Sequence, residues 1–500
     1  MRNELGFNMV QQHFDIAIIG AGPGGYSTAL RAAELGKSVA LIERDGTLGG
    51  TCLNRGCIPS KALLTAVHSV ETIHNAERMG INATLQSIDF GRLRDFRVST
   101  VETMTKGLTG LLAHRGVTVF RGCAALQNAH TVRVTPAEGE TQVSRSVEAG
   151  VFEPVETELA IDADDIVLAT GSRPLALPGN PFAGALIDST QALELNTLPS
   201  SAVIIGAGAV ALEFASLWNA AGCEVTLLIR KDRVLSTWER RASMTLTREL
   251  KRRGVNVIAR TAVDRVDTGA NLGATVHYRQ GDSEDRTAYG EVVLAAIGRV
   301  PNTDADWFRS SGLKLDERGY VTVDGYGRTN LDGVWALGDI TPGHALAHRA
   351  FEQGITIAEK IAGADPKPVI DDTVPQVVFS FPEAASVGLT LDQAKAREDV
   401  VEPKETAYPM LSNARMLMSG EGGSMTVVSG AFANNPDMQV VLGVHIVSPI
   451  ASDLIAEAEQ LVGNRVPLAD AARLIHPHPT FSETLGEALL KADGRPLHTR

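Results

Sequence analysis

The chain is poor in cysteine. Its 500 residues contain four, Cys52, Cys57, Cys123 and Cys223. A disulfide-stapled secreted scaffold of this length would need many more. Long apolar runs are also missing. No stretch reaches ~18 uninterrupted apolar residues, so nothing in the sequence reads as a membrane span. Nor is there an excess of basic residues. Lys+Arg number 46 against 59 Asp+Glu, a formal charge of −13. That balance excludes a broad nucleic-acid surface and leaves only a local basic patch open. The start, MRNELGFNMVQQH, has no apolar core and no small-residue cleavage site. It reads as a short polar extension, and the expected location is the cytoplasm.

The composition is 44% hydrophobic and 21% charged, with 48 Gly and 22 Pro. This is ordinary for a globular protein and excludes disorder, collagen and coiled coil as the main architecture. At roughly 150 residues per domain, the length alone suggests about three domains.

Two segments share one grammar. In the first, the apolar run FDIAII (14–19) leads into Gly20–Gly25, then a helical stretch from Tyr26 to Leu35, then SVALI (38–42). In the second, SAVII (201–205) leads into GAGAVA, then LEFASLWNAA (212–221), then VTLLI (225–229). Each is a strand–turn–helix–strand unit. Gly20, Gly22 and Gly25 fit G-x-G-x-x-G. The first glycine permits the turn, the second lets a pyrophosphate approach the backbone, and the third allows close strand–helix packing. The helix N-terminus offers free N–H groups to phosphate. Glu43 ends the following strand, where a carboxylate can bind ribose hydroxyls. A plain structural turn is the rival reading. Strand, helix and acidic residue in register favour a dinucleotide site of the FAD type. In the second unit, Gly206 and Gly208 fit, and Ala211 takes the third position.

Residues 49–64 read GGTCLNRGCIPSKALL. Cys52 and Cys57 flank four residues ahead of a helix with Pro59 near its first turn. A thiolate there is stabilised by the helix dipole. Two buried thiols or half of a zinc site are the alternatives, and a zinc site would need a second pair. In a cytoplasmic protein, redox activity is the better reading. A flavin site just upstream would supply the electrons that break such a disulfide. Cys123 and Cys223 have no motif and are expected to be core thiols.

On these motifs, and over about residues 14–493, the sequence resembles the pyridine nucleotide-disulfide oxidoreductases, class I, and within them the lipoamide branch. The resemblance implies an α/β fold: two Rossmann-like dinucleotide-binding domains, for FAD and NAD(P), plus a C-terminal α+β dimerisation domain. The expected boundaries are 1–168 (FAD, with the redox disulfide), 169–297 (NAD(P)), 298–370 (a central domain completing the FAD site) and 371–500 (interface). It implies an FAD-linked homodimer. Cys57 would be the flavin-side, charge-transfer thiol and Cys52 the interchange thiol. Gly50 and Thr51 lie beside the flavin on the same motif, and Lys61 matches the family lysine near the ring. Glu213 matches a glutamate near that lysine and the nicotinamide, which suggests a Glu213–Lys61 ion pair. Gly122 belongs to the same FAD site.

Further segments match in order. ATGSRP (169–174), with Thr170, Gly171 and Ser172, resembles the crossing from the FAD to the nicotinamide domain. AIGRVPNT (296–303), with Gly298, resembles the return. Asp339 in WALGDI would accept from the ribityl chain, and Ala345, Leu346, Ala347 and His348 would line the flavin. His478 and Glu483 in HPHPTFSE match the family's general base and its orienting carboxylate. Histidine titrates near neutral pH and can take a proton from a dithiol. The resemblance implies that the base serves the thiols of the other subunit.

One departure concerns the cofactor. Where NAD-linked relatives carry an acidic residue after the second strand, this chain has Ile229, Arg230 and Lys231. Basic residues there attract a 2′-phosphate. NADP(H) is therefore favoured over NAD(H), a solvated basic turn being the alternative. The expected function is reoxidation of dihydrolipoamide, free or on a lipoyl-bearing protein, with a 2-oxo acid dehydrogenase complex as a candidate partner. The rivals are an NADPH-dependent reductase of another small disulfide or of mercuric ion, and a non-catalytic redox-sensing flavoprotein. The tail ALLKADGRPLHTR lacks the extra cysteine pair often found in mercuric reductases. Phe381 stands where relatives often have histidine before Pro-Glu.

Overall fold

The computed structural model describes residues 11–269, 273–281 and 284–499. The polar extension at 1–10 lies outside them. The chain forms two units. One contains the residues up to Ala62, Arg94–Arg173 and Arg299–Asp371; the other contains Leu63–Leu93, Pro174–Gly298 and the residues from Asp372 onward.

The first unit is built on one sheet. Its order is Cys123–Asn128, Thr131–Thr135, Leu159–Leu168, Gln11–Ile19, Val39–Glu43, Thr118–Arg121, Ser144–Glu148 and Val151–Pro154, with Val334–Ala336 paired to Leu159–Leu168. The central strands are parallel. Both faces are covered, as a parallel sheet requires. Ile16 and Ile18 point into one core with Ala29, Leu41 and Leu337. Ala17 and Ile19 point into the other with Phe120, Ile166 and Ala336. Helix Pro23–Glu34 packs on the first of these faces, proline at its start where no N–H is missed. The polar stretch 135–158 contains a hairpin, Ser144–Glu148 with Val151–Pro154, which widens the sheet at its edge.

The second unit holds two sheets that matter for the site. One is parallel, in the order Leu186–Ile187, Val292–Ala295, Ser201–Ile205, Glu224–Ile229 and Asn256–Ala259. Helix Ala209–Ala221 follows its central strand and ends at Gly222, whose φ of 104° suits only glycine. The other is antiparallel, in the order Gln376–Val378, Glu383–Gly388, Asn435–Ser448, Ser424–Phe432 and Val400–Tyr408. Helices Ala451–Gly463 and Glu483–Ala492 share an apolar core with this sheet through Leu454, Ile455, Leu485 and Leu489.

The architecture is therefore α/β with two nucleotide-binding sheets and a C-terminal α+β portion. Of the two unassigned cysteines, Cys223 is buried as expected, but Cys123 is exposed. It opens the outermost strand of its sheet, which has a neighbouring strand on one edge only among the described residues. Among the described residues, no helix is long and apolar enough to cross a membrane.

Candidate functional site: a dinucleotide cradle, a thiol pair and a histidine–carboxylate pair

In the first unit, the glycine turn follows strand Gln11–Ile19. Gly20 has φ of 103°, and a Cβ there would lie 2.4 Å from the Ala169 carbonyl oxygen. A Cβ at Gly25 would lie 1.8 Å from the Gly20 carbonyl oxygen, so helix and strand approach this closely only because residue 25 is glycine. Gly50 closes on the same turn: its Cβ would lie 2.6 Å from the Gly22 Cα. The Gly49 N–H donates to the Ala21 carbonyl at 2.9 Å. The thiol segment is thus fastened directly to the phosphate-type turn. Glu43 is buried at the end of its strand. Its Oε2 accepts from Ala21 N–H at 2.8 Å, and its Oε1 from Arg44 and Asp45 N–H at 2.9 and 3.0 Å. Burial raises its pKa, and the N–H bonds offset part of that. A carboxylate offers about four acceptor positions, so one is left on Oε2 for a ribose hydroxyl. Gly122 abuts the Thr135 carbonyl, where a Cβ would lie 2.6 Å away.

The glycine cradle and the remaining lone pair of Glu43 fit a dinucleotide such as FAD. In the same unit, the Ser172 hydroxyl donates to Asp339 Oδ2 at 2.5 Å. Arg299 donates from Nε to the same hydroxyl at 2.6 Å and from Nη2 to the Ser172 carbonyl at 2.7 Å. The two crossing segments clasp each other. Thr170 Oγ1 donates to the Asn302 carbonyl at 2.9 Å, Asn302 Nδ2 to the Thr170 carbonyl at 2.8 Å, and Asn302 N–H to the Gly171 carbonyl at 2.9 Å. Leu346 caps helix Ala347–Ile361, with Ala345 just outside it and His348 exposed in its first turn.

Cys52 does not precede a helix; it sits within the short helix Gly50–Arg55, whereas Cys57 opens helix Cys57–Asn75. Gly56 separates the two helices. Both thiols are partly buried. A hydrogen bond with Cys57, then burial and the negative charge available on Cys57, push the Cys52 thiol well up; the Lys61 charge pulls the other way. Cys52 and Cys57 therefore influence each other's ionisation, with Lys61 favouring the thiolate. Tyr26, in the first turns of helix Pro23–Glu34, is pushed up to about 12 by burial and then by charge on Cys52 and Cys57. Sequence reasoning missed Tyr26 and Arg299. Tyr26 directly follows the third glycine of the motif, and Arg299 stands inside the return crossing.

In the second unit, Gly206 has φ of 144° and sits 2.2 Å, by its hypothetical Cβ, from the Ala296 oxygen. The Ala211 Cβ would lie 3.3 Å from that same point, so the alanine in the third position is accommodated. Glu213 is buried, and its Oε1 accepts from Phe379 N–H at 3.2 Å. Strand Glu224–Ile229 ends in exposed Arg230 and Lys231. The loop after it returns to the glycine turn, where Leu235 N–H donates to the Ala207 carbonyl at 2.9 Å. Gly298 has φ of 144°.

Also in the second unit, His478 Nδ1 lies 2.7 Å from Glu483 Oε1. Glu483 Oε2 accepts from Thr480 N–H at 2.7 Å. Burial works against ionisation of Glu483, but the Thr480 and His478 hydrogen bonds outweigh it and hold the carboxyl below its usual range. A carboxylate on Nδ1–H leaves Nε2 as the basic nitrogen. The His478 side chain is 77% exposed, so that nitrogen can meet a partner.

Comparison with known proteins gives consistent matches. Residues 14–354 match the model of the pyridine nucleotide-disulphide oxidoreductases. Residues 374–489 match the dimerisation domain of the same group. The chain is 38% identical over 487 residues to the dihydrolipoyl dehydrogenase of Geobacillus stearothermophilus, covering 96% of each chain. It is 35% identical over 490 residues to that of Bacillus subtilis, covering 97% of each. Among solved structures, LpdA from Mycobacterium tuberculosis superposes with a TM-score of 0.82 at 27% identity, covering 96% of this chain and 99% of that one. The HOCl-induced flavoprotein disulfide reductase RclA from Escherichia coli, solved as a Cu(II) complex, gives 0.80 at 25% identity, with 96% and 99% covered.

Proposed function

Because the chain belongs to the pyridine nucleotide-disulphide oxidoreductase family, we propose that it is a dihydrolipoyl dehydrogenase, using the Cys52–Cys57 pair to accept electrons from dihydrolipoamide. The observation that carries this reading is the segment bearing Cys52 and Cys57, fastened to the dinucleotide turn by the Gly49 N–H bond to the Ala21 carbonyl and the close approach of Gly50 to Gly22. When bound, FAD supplies the acceptor for the electron pair leaving the thiols, and a nicotinamide supplies the final acceptor.

The chain's own residues do the rest. His478 Nε2 removes a proton from a substrate thiol, and Glu483 keeps the ring oriented and stabilises its cation. The resulting thiolate attacks Cys52 Sγ in the oxidised pair, breaking the Cys52–Cys57 bond and leaving Cys57 as thiolate. The second substrate thiol then displaces Cys52, its proton passing to the departing Cys52 sulfur, and closes the cyclic disulfide of the product. Lys61 holds positive charge near the thiol pair. Gly20, Gly22, Gly25, Glu43, Gly50, Thr51, Gly122, Thr170, Gly171, Ser172, Asp339 and the 345–348 segment would bind the flavin. Gly206, Gly208, Ala211, Glu213 and Gly298 would bind the nicotinamide. The match at 374–489 supports a homodimer, in which His478 serves the thiols of the partner subunit.

Exposed Arg230 and Lys231 favour NADP(H) over NAD(H). A lipoyl-bearing protein, within a 2-oxo acid dehydrogenase complex, is the natural form of the substrate, and the cytoplasm its setting. A steady-state assay with dihydrolipoamide and each nicotinamide tests the reading. Turnover that requires Cys52 supports it; a flavin-loaded protein with no turnover on either nicotinamide would overturn it.

A further inference from the structure

The loop that carries His478 has a second histidine, which the mechanism above does not use. His476 Nε2 lies 2.9 Å from Glu457 Oε1 on helix Ala451–Gly463. Its ring lies against helix Glu483–Ala492, where a Cβ at Gly486 would come within 2.4 Å of Nδ1. Only glycine leaves room for the imidazole there. The His476 side chain is 9% exposed, against 77% for His478 two residues on.

The other end of the loop is also tied. Thr480 N–H donates to Glu483 Oε2 at 2.7 Å, and the Thr480 carbonyl accepts from Asn413 Nδ2 at 3.0 Å. Between the two anchors stand Pro477, His478 and Pro479. His478 touches one carboxylate and is otherwise open, so its direction depends on where the loop is held.

We propose that His476 and Glu457 form a positioning pair that fixes the near end of the base loop and so aims His478 at its dithiol substrate. The proposal rests on the assignment of His478 as the base. The charged groups facing His476 are Glu457, from helix Ala451–Gly463, and Glu483, from helix Glu483–Ala492. The hydrogen bond to Glu457 holds His476 above the usual histidine range; burial opposes this, and the Leu474 carbonyl adds a further acceptor. The charged pair is thus complete below the ordinary histidine pKa of about 6.5. It is lost as pH rises through the raised value.

The test uses the flavin-loaded dimer carrying Glu457→Gln, His476→Gln, or both. Three rates are read: turnover of dihydrolipoamide, flavin reduction by dithiothreitol, and flavin reduction by the nicotinamide. A misaimed base should lower the two dithiol rates by roughly 10- to 100-fold, with KM little changed. The nicotinamide rate should stay the same, and the double variant should be no slower than the worse single one. Glu457→Gln should also flatten the alkaline loss of the dithiothreitol rate that accompanies deprotonation of His476, which a merely structural role would not do. Glu457 is 34% exposed, so its amide variant keeps the question decidable if His476→Gln does not accumulate. Unchanged dithiol rates and an unchanged pH profile in folded Glu457→Gln, or an equal loss in all three rates, would overturn the proposal. If the unaltered protein ignores dihydrolipoamide but reacts with dithiothreitol, the substrate reading falls while the positioning pair is still judged on the second rate.

Discussion

Glu483 binds His478 Nδ1 at 2.7 Å with one oxygen and the Thr480 N–H at 2.7 Å with the other. One carboxylate therefore sets both the tautomer of the histidine and the bend of the loop that presents it. Replacing Glu483 by Gln keeps the size but removes the charge that stabilises the imidazolium. The expected result is a fall in kcat with dihydrolipoamide of roughly 10²-fold or more. Flavin reduction by the nicotinamide should be spared, and stopped-flow absorbance resolves the two half-reactions.

Arg230 and Lys231 follow strand Glu224–Ile229, whose end would meet the adenine ribose of a bound nucleotide. Arg230→Glu should lower kcat/KM for NADP by about 10- to 100-fold, the worth of one charge-assisted hydrogen bond, and lower that for NAD much less. Equal effects on both nucleotides would assign Arg230 to the solvated surface.

Glu213 is buried where a carboxylate needs a reason, and Phe379 N–H is one of its partners. Glu213→Gln should slow flavin reduction by the nicotinamide while the dithiol half-reaction keeps its rate. Unchanged reduction kinetics would reduce Glu213 to a structural role.

His445 is fully buried in the antiparallel sheet, with Nδ1 2.7 Å from Ser386 Oγ and Nε2 3.2 Å from the Leu389 carbonyl. Burial pushes its pKa down to about 4, the Leu389 bond opposing it. The folded value lies below the unfolded one, so its stabilising effect is present above about pH 6.5. It is lost as pH falls from there toward about 4, with a slope of at most about 1.4 kcal/mol per pH unit. Thermal midpoints should drop across that window, and His445→Gln should flatten the drop.

Much of the fold could be read from local pattern. The runs at 14–19 and 201–205 are apolar, end in glycine and precede helices, and the strands end where those glycines begin. The thiols at 52 and 57 stand out by their spacing, whereas His478 and Glu483 follow from the family resemblance, and the structure brings that pair to 2.7 Å. What failed or went unseen depends on distant contacts. Cys123 looks like a core thiol, yet its strand is the last in the sheet. Cys52 was expected ahead of a helix; Gly49 and Gly50, with φ of 103° and 57°, allow a separate helical turn around it. Arg299 binds Ser172 across 127 positions, and His476 meets Glu457 across 19. No local spacing marks either.

The most direct test of the central claim is anaerobic titration of the oxidised, flavin-loaded protein with dihydrolipoamide, followed by absorbance and thiol counting. One equivalent per subunit should make Cys52 and Cys57 reactive to a thiol reagent, and Cys52→Ser should abolish the response. Reduction of the flavin by dihydrolipoamide at an undiminished rate in Cys52→Ser would contradict that claim.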